Sequence, residues 1–456
     1  MEREHFTAQP FQRIGTQFML DHPRCNLWAK PGMGKTAMAC TVLDCLKIAG
    51  SDFLPAIVLA PARVAKIVWP GELARWDVFK DLTFTTILGE RADRVDALLG
   101  PKTDLYVINY ENVLSLRQHL GKKWPFKTVF ADESRRLSGF RLRNSTLRAD
   151  ALADIAAHTG RWVNMSGTPA PNGYEDLWGP NWFIDEGRSL GRSYTKYTQQ
   201  FFSENPYSRR VKLLPGAQEE IDAKLAAYSI AFRPEDWFDI QKPLCRIVPV
   251  EMPKTVRDAY RKMERELVTY VGDVAVLAPN AGVQTGKLLQ MASGSVYPGP
   301  GAEALALHDA KNDGLESIVN ELCEPLLVAY WWQFTPGRIQ RAFPKARVLT
   351  TEKDFSDWNK GKVPIGLINY KSAGHGLSLQ DGGRALAYYD QIWDEELRQQ
   401  VLERVGPTRQ AQSGYKRVVL QYDIVTQGTE DEAVLIRSAE KCSIGEALMR
   451  AHARRH

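Results

Sequence analysis

Two short stretches of this chain combine residue types at spacings suited to phosphate chemistry. In "NLWAKPGMGKTAMAC", Ala29-x-x-Gly32-x-Gly34-Lys35-Thr36 follows a short apolar run and opens a helical pattern. Glycine lets the main chain approach a phosphate group, and successive N–H groups at a helix start hold its negative charge. On this reading Ala29, Pro31, Gly32, Met33, Gly34, Lys35 and Thr36 cradle a nucleoside triphosphate. Lys35 reaches the β- and γ-phosphates and the Thr36 hydroxyl ligates Mg2+. The second stretch, "KTVFADESRRL", ends an apolar run in two adjacent carboxylates, Asp132 and Glu133. Beside a phosphate loop such a pair divides its work: Asp132 holds Mg2+ through water, and Glu133 orients and polarises the attacking water.

Side chains of this kind need rigid strands to deliver them. "PAIVLAP" (55–61), "DLYVINY" (104–110), "KTVFADE" (127–133) and "RWVNMSGTP" (161–169) each read as a strand ending in a turn or polar site. Helical patterns such as "GKTAMACTVLDCLKIAG" and "STLRADALADIAAHTG" lie between them. That rhythm predicts a parallel sheet covered on both faces. After an irregular stretch at about 180–245 it resumes in "EPLLVAYWWQF", "KARVLTT", "VPIGLINY", "RALAYYD" and "KRVVLQYDIV". A chain of 456 residues exceeds what one core usually serves. The expectation is an α/β protein of two lobes, residues 1–240 and 241–456.

Composition narrows the class. Apolar content of 44% and charged content of 25% are those of a globular protein, with no internal repeat or low-complexity tract. A net charge of +5 permits a polyanionic partner. The six cysteines form no C-x-x-C pair, which predicts reduced thiols, and no H-E-x-x-H or similar metal motif occurs. No apolar window approaches the roughly 20 residues needed to span a bilayer, and "MEREHFTAQPFQRIG" lacks the apolar centre of a signal peptide. A soluble cytoplasmic protein with no membrane partner is expected.

In sequence order, further blocks resemble those of the Swi/Snf-like branch of superfamily-two helicases and DNA translocases. "PFQRIGTQFML" is similar to the family's P-[YF]-Q block, "VLAPARVAKIVWPGELARW" to motif Ia, "VINYENV" to motif Ib and "MSGTPAPNGYEDLW" to the T-G-T-P-x-x-N run. "KLLQMASGSVY" and "HDAKNDGLESIVNEL" resemble the approach to motif IV, "PLLVAYWWQF" motif IV, "SAGHGLSLQ" motif V and "YYDQIWDEELRQQVLERV" motif VI. The compact layout resembles the minimal Swi/Snf-type helicases encoded by tailed bacteriophages, which would place the protein in a host cytoplasm.

The resemblance implies two tandem RecA-like lobes, each a parallel sheet flanked by helices, with the ATP site in the cleft between them. It implies that Gln12 reads the adenine edge and that Gly376 joins the nucleotide site. Ser166, Thr168 and Gln400 would couple ATP state to lobe movement, and Arg404 would offset charge on the γ-phosphoryl group. Arg63, Tyr110, Gln333 and Ser372 fall at positions that grip a DNA backbone. Two departures stand out. Arg135 follows Ser134 where relatives carry a histidine, and Pro407 stands where they carry a second arginine. Arg409, two residues late, is taken as that second arginine.

The function implied is an ATP- and Mg2+-dependent translocase, working as a monomer, that moves on double-stranded or branched DNA and remodels or anneals it. Two alternatives stay open: a strand-separating helicase, and a nucleotide-switched DNA clamp with little turnover. A small-molecule kinase is disfavoured because it needs no motifs V and VI. The aromatics of "YWWQF" suit either base stacking or core packing. The basic clusters "YSRRVK" (207–212) and "RAHARRH" (450–456) suit either DNA phosphates or solvent.

Overall fold

The computed structural model describes residues 3–121, 123–142, 146–204, 211–372 and 378–453. They form two units. The first runs up to Trp237 and takes in the chain again from Lys441; the second is Phe238–Glu440. The return of the C-terminal segment to the first unit was not part of the single division expected near residue 240.

In the first unit the apolar runs become β1 (Arg24–Ala29), β2 (Ala56–Ala60), β3 (Phe84–Ile87), β4 (Leu105–Asn109), β5 (Thr128–Asp132) and β6 (Arg161–Ser166). A hairpin of β7 (Phe202–Glu204) and β8 (Val211–Leu213) precedes β9 (Ser229–Phe232). The main sheet has the order β3-β4-β2-β5-β6-β1-β9, and every pairing in it is parallel. Residues of β2, β4, β5 and β6 are buried throughout. That is why these strands read as unbroken apolar runs rather than alternating ones: helices cover both faces.

The helices used below are α1 (Pro10–Asp21), α2 (Lys35–Ile48) and α3 (Trp69–Arg75). The stretch expected to be irregular contains helices at Trp178–Asp185, Tyr194–Phe201 and Ala217–Leu225, each only two to three turns long, the first with Gly179 and Pro180 inside it.

Polar residues inside these strands set the register. Asn26 of β1 donates through Nδ2 to Asn181 Oδ1 and Ser229 Oγ, both at 2.8 Å, and Asn164 of β6 donates to Asn26 Oδ1 at 2.9 Å. All four residues are buried. A slip of one residue would leave these amides unpaired in the core, so the ladder fixes β6, β1 and β9 relative to one another.

The second unit repeats the plan. Its main sheet contains β10 (Leu244–Val250), β15 (Leu326–Tyr330), β16 (Ala346–Val348), β17 (Ile365–Asn369), β18 (Ala385–Tyr388) and β19 (Leu420–Thr426). Two hairpins intervene, β11 (Val268–Val271) with β12 (Val274–Leu277) and β13 (Ser295–Val296) with β14 (Leu305–Ala306). The order is β10-β19-β18-β15-β17-β16, again parallel throughout. Each unit is thus a RecA-like parallel sheet flanked by helices. In the first unit Leu448 and Met449 join the core, and Ala231 N donates to His452 O at 2.9 Å beside β9. Among the described residues no helix is long and apolar enough to cross a membrane.

Candidate functional site

In the first unit β5, β6 and β1 lie side by side and all end at one edge of the sheet. From β1 the chain enters the phosphate loop, where Gly32 and Gly34 adopt φ of 84° and 71°, a left-handed region that disfavours residues with a Cβ. α2 then begins at Lys35, with Thr36 in its first turn. A Cβ at position 34 would stand 2.2 Å from Gln12 Nε2. The side chain expected to read adenine therefore lies against the loop, its Oε1 accepting from Gln9 N at 2.8 Å.

Lys35 Nζ donates to Ala29 O at 2.8 Å. Met33 is buried beneath the loop, and Pro31 touches the neighbouring strand end. There a Cβ at Gly167 would come within 2.9 Å of Pro31 Cδ, so the glycine lets the two turns approach. Ser166 Oγ accepts from Thr168 N at 3.1 Å and closes that turn. Ser166 and Thr168 thus adjoin the phosphate loop.

Asp132 ends β5 and is buried, at 5% exposure. Its Oδ2 accepts from Trp69 Nε1 at 2.9 Å and its Oδ1 from the Glu133 amide at 3.0 Å. Burial, reinforced by the charge of Glu133 and opposed by that of Lys35, pushes its carboxyl up to about 6. Glu133 is half-buried and holds φ 52°, ψ 53°, a left-handed conformation strained for any residue but glycine.

Tyr110, expected among the DNA contacts, faces inward. It is 3% exposed, and its hydroxyl donates to the main-chain O of Asp132 at 2.9 Å. Its side chain braces the acid strand and offers little surface to a phosphate. Arg63 follows β2 and is half-buried.

In the second unit the helix Glu395–Val405 ends at Gly406, and Pro407 occupies the first position of the next helix, Pro407–Gln412. Proline suits that position because its missing N–H has no partner to lose there. Arg404 lies in the last turn of the first helix, buried, and Arg409 sits on the second, where Nη1 donates to Ser378 Oγ at 2.6 Å. Desolvation draws the Arg409 pKa down. Gln400 is buried and donates to Glu396 Oε1 at 2.7 Å.

Gln333 and Ser372 follow β15 and β17, neighbours in the sheet with Tyr330 opposite Asn369. Gln333 is exposed, and Ser372 Oγ donates to Asn369 O at 2.9 Å. Trp331 meets Tyr370 edge-on and carries the Lys371 ammonium 4.6 Å from its ring centre. Gly376 and most of "YSRRVK" lie outside the described residues.

A family model described as the SNF2-related domain matches residues 12–212. The p41 protein of Acyrthosiphon pisum secondary endosymbiont phage 1 is 42% identical over 457 residues, covering 99% of both chains. The chain belongs to the SNF2-related family. The ATP-dependent DNA helicase DDM1 of Arabidopsis thaliana is 23% identical over 91% of this SNF2-related chain, which spans 58% of DDM1. Among solved structures, the Sulfolobus solfataricus SWI2/SNF2 ATPase core aligns in complex with dsDNA at 19% identity and a TM-score of 0.46, covering 99% of this chain and 96% of that one. The same core domain alone aligns at 18% identity and 0.44, covering 98% and 92%.

The residues of this SNF2-related ATPase chain fit ATP with Mg2+. A left-handed glycine loop opens a helix, a lysine overhangs it, and a threonine stands in the first turn. The buried Asp132 carboxylate, held at raised pKa, is the group that a cation would relieve. Sequence reasoning missed three organising residues. In the sequence Trp69 is only one member of a block, Asp390 follows its strand by two residues, and Gln410 ties the helix start to the end of motif V through Gln380 O at 3.4 Å and to Gly383 O and Val405 O, both at 3.0 Å.

Proposed function

We propose that this SNF2-related protein is a DNA-stimulated ATPase that converts hydrolysis into movement along double-stranded DNA, remodelling branched intermediates as it goes. The observation that supports it most is the convergence of the phosphate loop, the Asp132–Glu133 pair and the Ser166–Thr168 turn at one edge of one sheet.

In this reading the loop amides and Lys35 bind the phosphates, Gln12 contacts the base, and Thr36 and Asp132 would hold Mg2+, Asp132 through water. Bound magnesium supplies charge neutralisation at the transferring phosphate. Glu133 orients the water, and Arg404 and Arg409 complement charge on the terminal phosphate. Ser166, Thr168 and Gln400 pass the nucleotide state onward, with Gly376 near the nucleotide. Arg63, Gln333 and Ser372 hold DNA phosphates in a largely sequence-independent grip, and Tyr110 serves that segment from inside.

The test is steady-state ATP hydrolysis with no nucleic acid and with duplex, single-stranded, forked and four-way DNA and RNA. Stimulation by duplex or branched DNA is expected. Tight nucleotide and DNA binding without turnover would overturn the motor in favour of a switched clamp, the reading favoured by Arg135 in place of a histidine and by Pro407 in place of an arginine. Stimulation by RNA alone would overturn the choice of substrate.

A further inference from the structure

Trp69 is fully buried, and its one polar side-chain atom is committed to Asp132, with Nε1–H donating to Oδ2 at 2.9 Å. Its main chain is held as specifically. The Trp69 N–H bonds Val64 O, five residues back, closing the π-helical turn Val64–Val68. Such turns are rare and concentrate at functional sites. This one has two sides. Val64 and Ala65 are buried, while Lys66 and Ile67 are exposed and Arg63 caps the start.

The next strand repeats the device. β2 and β4 are neighbours, with Ala60 opposite Asn109, and each is followed by a segment that reaches Asp132 through one aromatic hydrogen bond. Trp69 meets the carboxylate, and Tyr110 meets the main-chain oxygen. A carboxylate that holds a metal ion, directly or through one of its waters, must keep one orientation, and groups that hydrogen-bond it from outside set that orientation.

We propose that Trp69 is a positioning residue for Asp132 and that it links the surface turn Arg63–Val68 to the metal–nucleotide site. Phosphate backbone held on the turn and Mg2+-nucleotide held at Asp132 then favour each other, and by linkage the effect is equal in both directions. This proposal rests on the ATPase reading given above. The outer side of the turn carries Lys66, with the half-buried Arg63 at its start, both of a charge suited to phosphate. The inner side ends in the indole, so a shift in the turn reaches the carboxylate through a single bond. Neither Arg63 nor Trp69 needs to touch nucleotide for this to occur.

The experiment is a binding titration on the full chain with a fluorescent ATP analogue, with and without Mg2+ and with and without a short DNA duplex. The parent is compared with Trp69→Phe and with a chain carrying 3-benzothienylalanine at position 69, which keeps the indole shape and replaces N–H by sulfur. The parent is expected to bind more tightly with Mg2+ and more tightly again with duplex. Both variants should keep the Mg2+-free affinity and lose the Mg2+-linked gain by about 10–100-fold, the range for removing an outer partner of a metal ligand. The duplex should then no longer tighten binding. An unchanged Mg2+-linked gain would overturn the proposal. A fall in Mg2+-free affinity of the same size would also overturn it, because the indole would then merely support the fold. If Trp69→Phe fails to fold, the isosteric chain gives the answer. Absence of nucleotide binding by the parent would refute the ATPase reading itself, a result distinct from either.

Discussion

Asp132 and Asp390 are both buried aspartates beyond the C-terminal edge of a parallel sheet, Asp132 as the last residue of β5 and Asp390 two residues past β18. Their surroundings differ. Asp390 Oδ2 accepts from the amides of Trp331 and Trp332 at 2.8 and 3.1 Å and from Thr335 Oγ1 at 2.9 Å. Three fixed dipoles meet Oδ2, while Oδ1 is buried with no hydrogen-bond partner among the described residues, and in return the carboxylate closes the turn after β15 that presents Gln333. Asp132 has two donors spread over two oxygens and a second carboxylate beside it. Burial and the Glu133 charge raise its pKa to about 6. One unit uses its aspartate to complete the fold, whereas the other keeps an aspartate whose charge is still in demand of a cation. A buried acid is therefore interpreted through its donors, not through burial alone.

The contrast predicts opposite responses to removal. Asp390→Ala leaves two amides and a hydroxyl unpaired and should destabilise the second unit by about 3–5 kcal/mol, measured by urea unfolding. Asp132→Ala also strands the Trp69 indole, but it removes an unfavourable charge. Its stability at pH 8 without Mg2+ should stay within about 1 kcal/mol of the parent. Equal losses at the two sites would erase the distinction.

The pH dependence sharpens it. Between the ordinary Asp value of 3.8 and the folded value of about 6, the folded chain binds more protons at Asp132 than the unfolded chain does. The contribution of this site to stability is full below the ordinary value and is lost as pH rises through that window, by about 1–3 kcal/mol in the absence of Mg2+. Asp132→Asn should flatten that part of the profile. A matching loss in the parent and in Asp132→Asn would assign the slope to other groups.

A smaller effect is expected next door. Glu133→Gly relieves the left-handed backbone and should stabilise the first unit by about 1 kcal/mol, visible as a rise in unfolding midpoint. Turnover should be lost at the same time. A stabilised, inactive variant would show that the strained residue is kept for chemistry.

The parts legible in the sequence are those with local chemical signatures. The glycine loop, the acid pair and the apolar strands stand out because glycines, paired carboxylates and β-branched runs act within a few residues. The bonds that hold the site were not legible. Trp69 and Asp132 are 63 residues apart and meet only through the parallel order of β2 and β5. Tyr110 falls at a DNA-contact position of its motif, and motif position carries no information about burial. The asparagine ladder was hidden for the same reason, since an Asn inside an apolar run carries no sign of its partner. The return of the chain to the first unit after Lys441 rests on side chains such as Leu448 and Met449, ordinary in sequence and buried only once packed.

The central claim, that Glu133 activates water at a nucleotide bound beside Asp132, is tested most directly by ATP hydrolysis under saturating Mg2+ and duplex DNA, for the parent and Glu133→Gln in parallel. The Glu133→Gln rate should fall by about 10²–10⁴-fold with nucleotide affinity retained. Hydrolysis by Glu133→Gln at the parental rate would contradict it.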